Sequence, residues 1–580
     1  MTPKEFFQTP HHATQRRYEA LRAFYLEGCN AEQVAQRFGY TVSTVYSLTR
    51  DFQHQLNHSS VGESFFVTPI RGRQPKPGSE SLRRLIIELR KKYLSVPDIK
   101  AIIDALGEEA SEKYIYEVVH HEGFARLPRR SREQRSQTLS NVTLEAPKSA
   151  LLDYRSEAFQ TQNSAGLLCL LPYLQAYGLD QLIEHSGYPS SASLPRLNAV
   201  LSFLALKLSK VRRYSADDLW CMDRGLGLFA GLNVLPKTAW FTSYSHRITR
   251  AQNLAFLKGL AQRWQQHGLL SDTANLDFTT LPYWGDEAHL ENHWSGTRHT
   301  ALVSVLAVLA HDPDSGLITY GDTNLRHDNQ AGVVVEFLDF YRHSGSDDLR
   351  YLVFDSKFTT YENLRTLDEA GIKFLTIRRR GKHIVERLQA MPKTQHRKIR
   401  IPAAGGKTRL LQVIDETLKL KGYDRPIRQV AIIGPARIQP ALIITNDFEL
   451  ALETIVRKYA RRWLVEKTIS EQIEFFHLNR LSSSMVIKID FDLTMTILAY
   501  NLYRLLARDL PGYSHSTANS LFERFIYNSG DIDITASRIT IDMKKKRHLP
   551  VLLTLMEPFQ NKPIHWMHGR ALVFQGASRS

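Results

Sequence analysis

Cysteine is scarce in this chain. Three residues in 580, Cys29, Cys169 and Cys221, lie far apart with no CxxC pair. Neither a disulfide scaffold nor a cysteine zinc site is expected, and a reducing cytoplasm is the fitting compartment. No apolar run reaches the ~18 residues of a membrane-spanning helix. The opening MTPKEFFQTPHH has no apolar core, so no signal peptide is expected. A P-loop is absent too: GGKT at Gly405–Thr408 would need glycine where Ile401 stands. HEGFA, from His121, lacks the second histidine of a zincin. Acidic residues are outnumbered, 59 Asp and Glu against 75 Lys and Arg, for a net charge of +16 and a pI near 9.5. That balance points to a polyanionic partner. The length predicts several domains rather than one core.

Residues Ala13 to about Leu56 read as three short helices with a tight turn at Gly39-Tyr40. A helix, a turn and a Ser/Thr-opened second helix form a helix-turn-helix pattern. Thr41, Ser43 and Thr44 open the last helix and suit groove and phosphate contacts. A plain three-helix bundle has the same pattern. Ser81 to about Phe124 repeats the layout without repeating the sequence: SLRRLIIELRKKY is amphipathic, SVPDIKAIIDALG has a Ser N-cap and Pro97 in its first turn, and SEKYIYEVVHHEG follows. Between the two units, RGRQPKPG (Arg71–Gly78) is held extended by Pro and Gly, with Arg71, Arg73 and Lys76 projecting. It reads either as a solvated linker or as a slim minor-groove arm similar to an AT-hook, interrupted by Gln74. RLPRRSREQR (Arg126–Arg135) is a further phosphate-binding stretch.

Leu151 to about Leu270 is helical by pattern. Lys210, Arg212, Arg213, Arg247 and Arg250 there suit either DNA contact or a solvated face. From Ala274 the period changes to that of strands. ANLDFTTLP, RHTALVSVLAVLAHD and GLITYGDTN read as three strands, DNQAGVVVEFLDFYRH as a helix, RYLVFDSKF as a buried strand, TYENLRTLDEAGI as a helix and KFLTIRRR as a strand. Asp277 and Asp355 sit in or at the end of two of the apolar strands, 355 − 277 = 78 residues apart. Asp286, Glu287 and Asp322 are rival carboxylates, set among turn residues. ALIITND (Ala441–Asp447) is one more strand-like run, and no Pro or Gly interrupts Glu449 to Asn479, which reads as one long helix. Tyr459, Arg462 and Glu466 share a face of that helix, and Trp463 with Ile455, Val456, Ile469 and Ile473 are expected to help bury it. An Arg–Glu pair of this kind is often structural. The 466 − 355 = 111 residues between Asp355 and Glu466 require an insertion, expected to be antiparallel strands.

Tyr459, Arg462 and Glu466 match the Y-(2)-R-(3)-E part of the Y-(2)-R-(3)-E-(6)-K pattern, and here the chain resembles the DDE insertion-sequence transposases over Leu270 to about Leu506. The pattern's lysine falls at Ile473. The resemblance implies a ribonuclease-H-like core in which the Glu is the third catalytic carboxylate and the first two are strand aspartates. Asp277, Asp355 and Glu466 are then the catalytic residues and the ligands of two Mg²⁺ ions, Mn²⁺ being a substitute, with Asp277 bridging both. Tyr459 and Arg462 are expected to hold a terminal phosphate, and Arg378, Arg379 and Arg380 to contact the DNA backbone, while His477, one helical turn past Ile473, reads either as taking part of the lysine's role or as a hydrogen-bonded core histidine among Phe475, Phe476 and Leu478.

The expected fold class is multidomain α/β. A helix-turn-helix module (1–60), an AT-hook-like linker (61–80), and a second such module with a basic linker (81–150) lead into a helical DNA-binding or dimerisation region (151–270). A ribonuclease-H-like catalytic domain (271–480), with a β-rich insertion at about 383–440, and a C-terminal helical region (481–580) complete it. KKKR at Lys544–Arg547 is expected to be a solvated turn. The implied function is a transposase that binds terminal inverted repeats in double-stranded DNA, cuts at the element ends and joins the 3′-hydroxyl ends to target DNA. It would act as a homodimer in the synaptic complex, in a prokaryotic cytoplasm at the nucleoid, with no membrane partner. The alternative is a transposase-derived DNA-binding regulator whose carboxylates no longer cut.

Overall fold

The computed structural model describes residues 13–58, 79–91, 94–105, 108–124, 151–191, 194–212, 219–284, 290–295, 299–327, 329–330, 332–344, 348–358, 360–402, 408–433, 440–481 and 486–576. The chain divides into two units, Met1–Ser81 and Leu82–Ser580.

In the first unit three helices, Ala13–Tyr25, Ala31–Phe38 and Val42–His58, close over Ala20, Ala23, Val34, Phe38 and Val45. Their ends are set by local chemistry. Asn30 and Gln33 form a capping box, and Gly39 ends the second helix in the left-handed region at φ 70°. The Thr41 hydroxyl accepts the Thr44 amide at 3.2 Å and so starts the third helix.

The second unit opens with helices Val96–Ala105 and Glu112–His121 packed with Ile86 and Leu89 of the Ser79–Lys91 helix. Strand β1 (Glu157–Thr161) then enters a five-stranded sheet whose other members come from the far end of the chain: β12 (Gly530–Ile534), β13 (Arg538–Met543), β14 (Pro563–Ile564) and β15 (Arg570–Gly576). The C-terminal part is therefore not simply helical, as its leading apolar stretch had implied. The run ITIDMKKKRHLPVLLTLM splits into β13 and the helix Leu549–Met556. Within KKKR, Lys546 is spent internally, donating to the Glu523 carbonyl at 3.0 Å.

The second sheet positions the site. Its path is β3 (Asn292–Ser295), β4 (Thr300–His311), β2 (Thr273–Pro282), β6 (Tyr351–Phe354), β7 (Lys373–Ile377), β11 (Ala441–Thr445), β10 (Tyr423–Ile433), β9 (Thr408–Leu420) and β8 (Arg397–Pro402), with β5 (Ile318–Leu325) on β4. Strands β2, β6 and β7 run parallel to one another, with β4 antiparallel to β2. The residues inserted before Glu466 supply the helix Lys382–Gln389 and strands β8, β9 and β10, which prolong this sheet rather than forming a separate body. The hairpin strand β3 went unseen in the sequence because NHWS is too short and polar to carry a periodic signal.

β4 and β2 are buried over most of their length, as strands covered on both faces must be. The 24-residue helix Val486–Asp509 lies on β5. Its approach needs Gly321, where an added Cβ would meet Ile497 Cδ1 at 2.6 Å. Asn501 clamps the strand, accepting the Ile318 amide at 2.9 Å and donating to its carbonyl at 2.8 Å. No described helix is long and apolar enough to cross a membrane.

Candidate active site

Asp277 lies midway along β2, and Asp355 is the first residue after β6. The parallel register pairs Leu276 with Phe354, so the two aspartates follow one another on adjacent strands. Beside them, β7 pairs Phe354 with Thr376 and delivers Arg378, Arg379 and Arg380 just past the same edge. Arg378 is half-buried, its amide donating to the Leu442 carbonyl at 2.8 Å and its guanidinium to Gln429 at 3.1 Å, while Arg379 and Arg380 are exposed.

The expected single long helix is in fact two, Leu452–Ala460 and Trp463–Glu474. No Pro or Gly causes the break. At the joint the amides of Arg462, Leu464 and Val465 bond three residues back rather than four, tightening the chain. The Arg461 carbonyl, which takes the Leu464 amide at 3.0 Å, also accepts from Asn275 Nδ2 at 3.1 Å. Asn275 is two residues before Asp277 and on the same face of β2, so one strand both carries the aspartate and docks the joint beside it. Of the residues expected to bury the helix, Ile455 and Val456 are buried, as is Val465, whereas Trp463 is 66% exposed.

Arg462 projects from the joint between two carboxylates. Its Nη1 lies 2.7 Å from Asp277 Oδ2 and its Nη2 2.8 Å from Glu466 Oε1. Tyr459 packs beside it, the guanidinium 5.8 Å from the ring centre, with its phenol pushed up to about 12 by burial. Burial raises Asp277 to about 6. Arg462 and the Phe278 amide oppose that rise, and the negative charges of Glu466 and Asp355 add to it. Both of those carboxylates thus lie close enough to Asp277 to repel its charge. Asp277, Asp355 and Glu466 offer hard oxygen donors of the kind a divalent cation takes. Their oxygens do not all gather within 4.8 Å of one another; among the described residues only Glu291, His293 and His327 form a His/Cys/Asp/Glu group that tight.

Several expected residues lie elsewhere or act differently. Asp322 is an internal anion paired with Arg250 at 3.0 Å, and Arg250 also reaches Asp490 at 2.9 Å, so this arginine is tied into the core. Arg247 donates to the Ser190 carbonyl and Lys210 to Asn519. His477 does not continue the Glu466 face, because the helix ends at Glu474 and His477 sits in the left-handed region at φ 56°. Its ring is half-buried, and burial together with Lys207, Arg212, Lys210 and Arg480 lowers it to about 4, which disfavours the charged form a phosphate contact needs. Thr41 and Ser43 are exposed and Thr44 is half-buried at the start of the Val42–His58 helix. Arg71, Arg73, Asp286, Glu287, Arg126–Arg135 and Arg213 lie outside the described residues. Asn275 was missed altogether; its only signal was a polar residue in an apolar strand.

Residues 276–502 match the family described as Transposase DDE domain. The chain carries a transposase DDE domain. The matched span holds Asp277, Asp355 and Glu466, and domains of this family generally use a divalent metal. No curated protein matches the chain. Among solved structures, a piggyBac transposase in a synaptic complex with hairpin DNA aligns at 11% identity and a TM-score of 0.34, covering 62% of this chain and 79% of that one.

Proposed function

We propose that this protein is a transposase that binds the terminal inverted repeats of its element, hydrolyses phosphodiesters at the ends and joins the 3′-hydroxyls to target DNA. The observation carrying this reading is that Arg462 bridges Asp277 and Glu466 while the strand register sets Asp355 beside Asp277, all within the DDE domain. The core that carries them is best read as ribonuclease-H-like. Asp277, Asp355 and Glu466 would hold two Mg²⁺ ions, which when bound polarise the phosphate, activate the attacking hydroxyl and neutralise the leaving oxygen. Arg462 keeps Asp277 oriented and favours its ionised form. Tyr459 stays protonated and serves as a hydrogen-bond donor to a terminal phosphate. Arg378, Arg379 and Arg380 contact the DNA backbone along the same sheet edge.

The N-terminal helices act as helix-turn-helix modules, with Thr41, Ser43 and Thr44 meeting the groove and phosphates. Arg71 and Arg73 enter the minor groove between them, and two copies of the chain hold the paired ends. A regulator without catalysis fits less well. Carboxylates whose ionisation is perturbed cluster at functional sites, and Asp277 is one of them.

The deciding experiment incubates Asp355→Asn and wild-type protein with DNA carrying the cognate ends and Mg²⁺, measuring nicking and end binding in parallel. Binding without nicking supports the assignment. Nicking by Asp355→Asn at the wild-type rate removes it.

A further inference from the structure

A second cluster of ligand-type side chains lies outside the carboxylate site. Glu291 immediately precedes β3, its carbonyl still accepting the Ser304 amide of β4 at 3.0 Å, and His293 lies two positions on, so extended backbone sends both to one side. His327 comes to them from the turn after β5. One ligand atom from each of the three lies within 4.8 Å of the others. The two imidazole rings are 4.5 Å apart, and His293 Nε2 is 3.6 Å from Glu291 Oε2.

The surroundings fix both the carboxylate and one of the rings. The His327 amide donates to Glu291 Oε2 at 2.8 Å, orienting the carboxylate. His327 Nε2 lies 3.0 Å from the Asn292 carbonyl, which can only accept, so Nε2 carries the hydrogen. Nδ1 is then left with its lone pair, the arrangement in which a histidine ligates. The turn itself is braced: Asn329 accepts the Arg326 amide at 2.8 Å and donates to the Asn324 carbonyl at 3.1 Å.

We propose that Glu291, His293 and His327 bind one transition-metal ion of the Zn²⁺ class, at a site separate from the DDE carboxylates. Two imidazole nitrogens and one carboxylate form a borderline donor set that Zn²⁺ takes readily and Mg²⁺ does not. With three protein ligands, one coordination position stays open to water. The ion joins the β3 hairpin to the turn after β5. This hairpin already touches the catalytic strand, since Thr280 on β2 donates to the Trp294 carbonyl at 3.1 Å. The ion therefore steadies the segment of chain that follows Asp277. The inference does not depend on the reaction proposed above.

The test is a Co²⁺ and Zn²⁺ titration of the full-length protein in excess Mg²⁺, which occupies carboxylate-only sites. One equivalent should bind, with the intense visible absorption of four-coordinate Co²⁺. His327→Gln and His293→Asn should each weaken binding at least about tenfold. His327 is exposed, so its substitution leaves the fold intact, and a Zn²⁺-dependent rise in Tm should vanish in that variant. The triple variant Asp277→Asn/Asp355→Asn/Glu466→Gln should keep the Co²⁺ spectrum. Equal Co²⁺ binding by wild type and His327→Gln overturns the proposal. So does loss of the spectrum in the triple variant, which would place the ion at the DDE carboxylates.

Discussion

The guanidinium of Arg462 lies 2.7 Å from the Asp277 carboxylate, and the two side chains are only 8% and 12% exposed. Such a pair is held in place by what breaking it costs: an unpaired buried charge is worth about 3–5 kcal/mol of destabilisation. Arg462→Ala should lower stability by about that order and push Asp277 further up, because the cation opposing its protonation is gone. Arg462→Lys keeps the charge but not the fork, so it should retain Asp277 or Glu466 but not both. Urea unfolding of the two variants checks the first point. An Arg462→Ala protein as stable as wild type would show that the pair is idle.

Asp277 itself gives a pH signature. Its folded value is about 6 against 3.8 for an ordinary aspartate. Between those values the folded state keeps a proton that the unfolded chain has released, so this residue's contribution to stability falls as pH rises through the window. The amount is about 3 kcal/mol at most. Stability measured at pH 4 and at pH 6.5 should therefore differ between wild type and Asp277→Asn, the wild type losing more on going up. End cleavage, which needs the ionised carboxylate, should fall as pH drops below about 6. An identical pH dependence in the two proteins would contradict the burial of this charge.

Much of this site was legible in the sequence because strand aspartates in apolar runs are chemically expensive. Asp277 and Asp355 stood out for that reason, and the parallel pairing of β2 with β6 sets them side by side. The break between Ala460 and Trp463 was not legible. It arises from a long-range bond, Asn275 to the Arg461 carbonyl, that no helix propensity encodes. The same limit hid the five-stranded sheet, in which β1 and β12 meet across more than half the chain. Arg250 looked like a surface cation because its partners, Asp322 and Asp490, are remote in sequence.

Asn275 follows as a positioning residue. Asn275→Ala removes one of the two hydrogen bonds to the Arg461 carbonyl, which keeps the Leu464 amide, at a cost of about 0.5–1.5 kcal/mol. The joint should then relax toward a continuous helix, rotating Arg462 and Glu466 away from Asp277. The expected result is slower end cleavage with unchanged end binding. It should be accompanied by loss of the Asp277-specific pH signature, which a purely structural role would not move. Cleavage at the wild-type rate would mean that the joint holds without Asn275.

His477 lies beyond the end of the helix that carries Glu466. It sits at φ 56°, a conformation that Gly and Asn adopt easily and β-branched residues resist. Its Nε2 is buried without a hydrogen-bond partner, and burial and the nearby lysines and arginines lower it to about 4 from 6.5. As pH falls from 6.5 toward 4 the unfolded chain takes up a proton that the folded ring refuses, so stability is lost on acidification. His477→Asn should therefore fold normally and lose less stability than wild type over that range. His477→Val should be destabilised by about 1–2 kcal/mol through backbone strain alone. A neutral ring makes no ionic contact with phosphate, so His477→Asn should bind element ends as wild type does at both pH 6 and pH 8. A tenfold loss of end affinity confined to pH 6 would show instead that DNA restores the charge, and that the lysine's role has passed to this histidine after all.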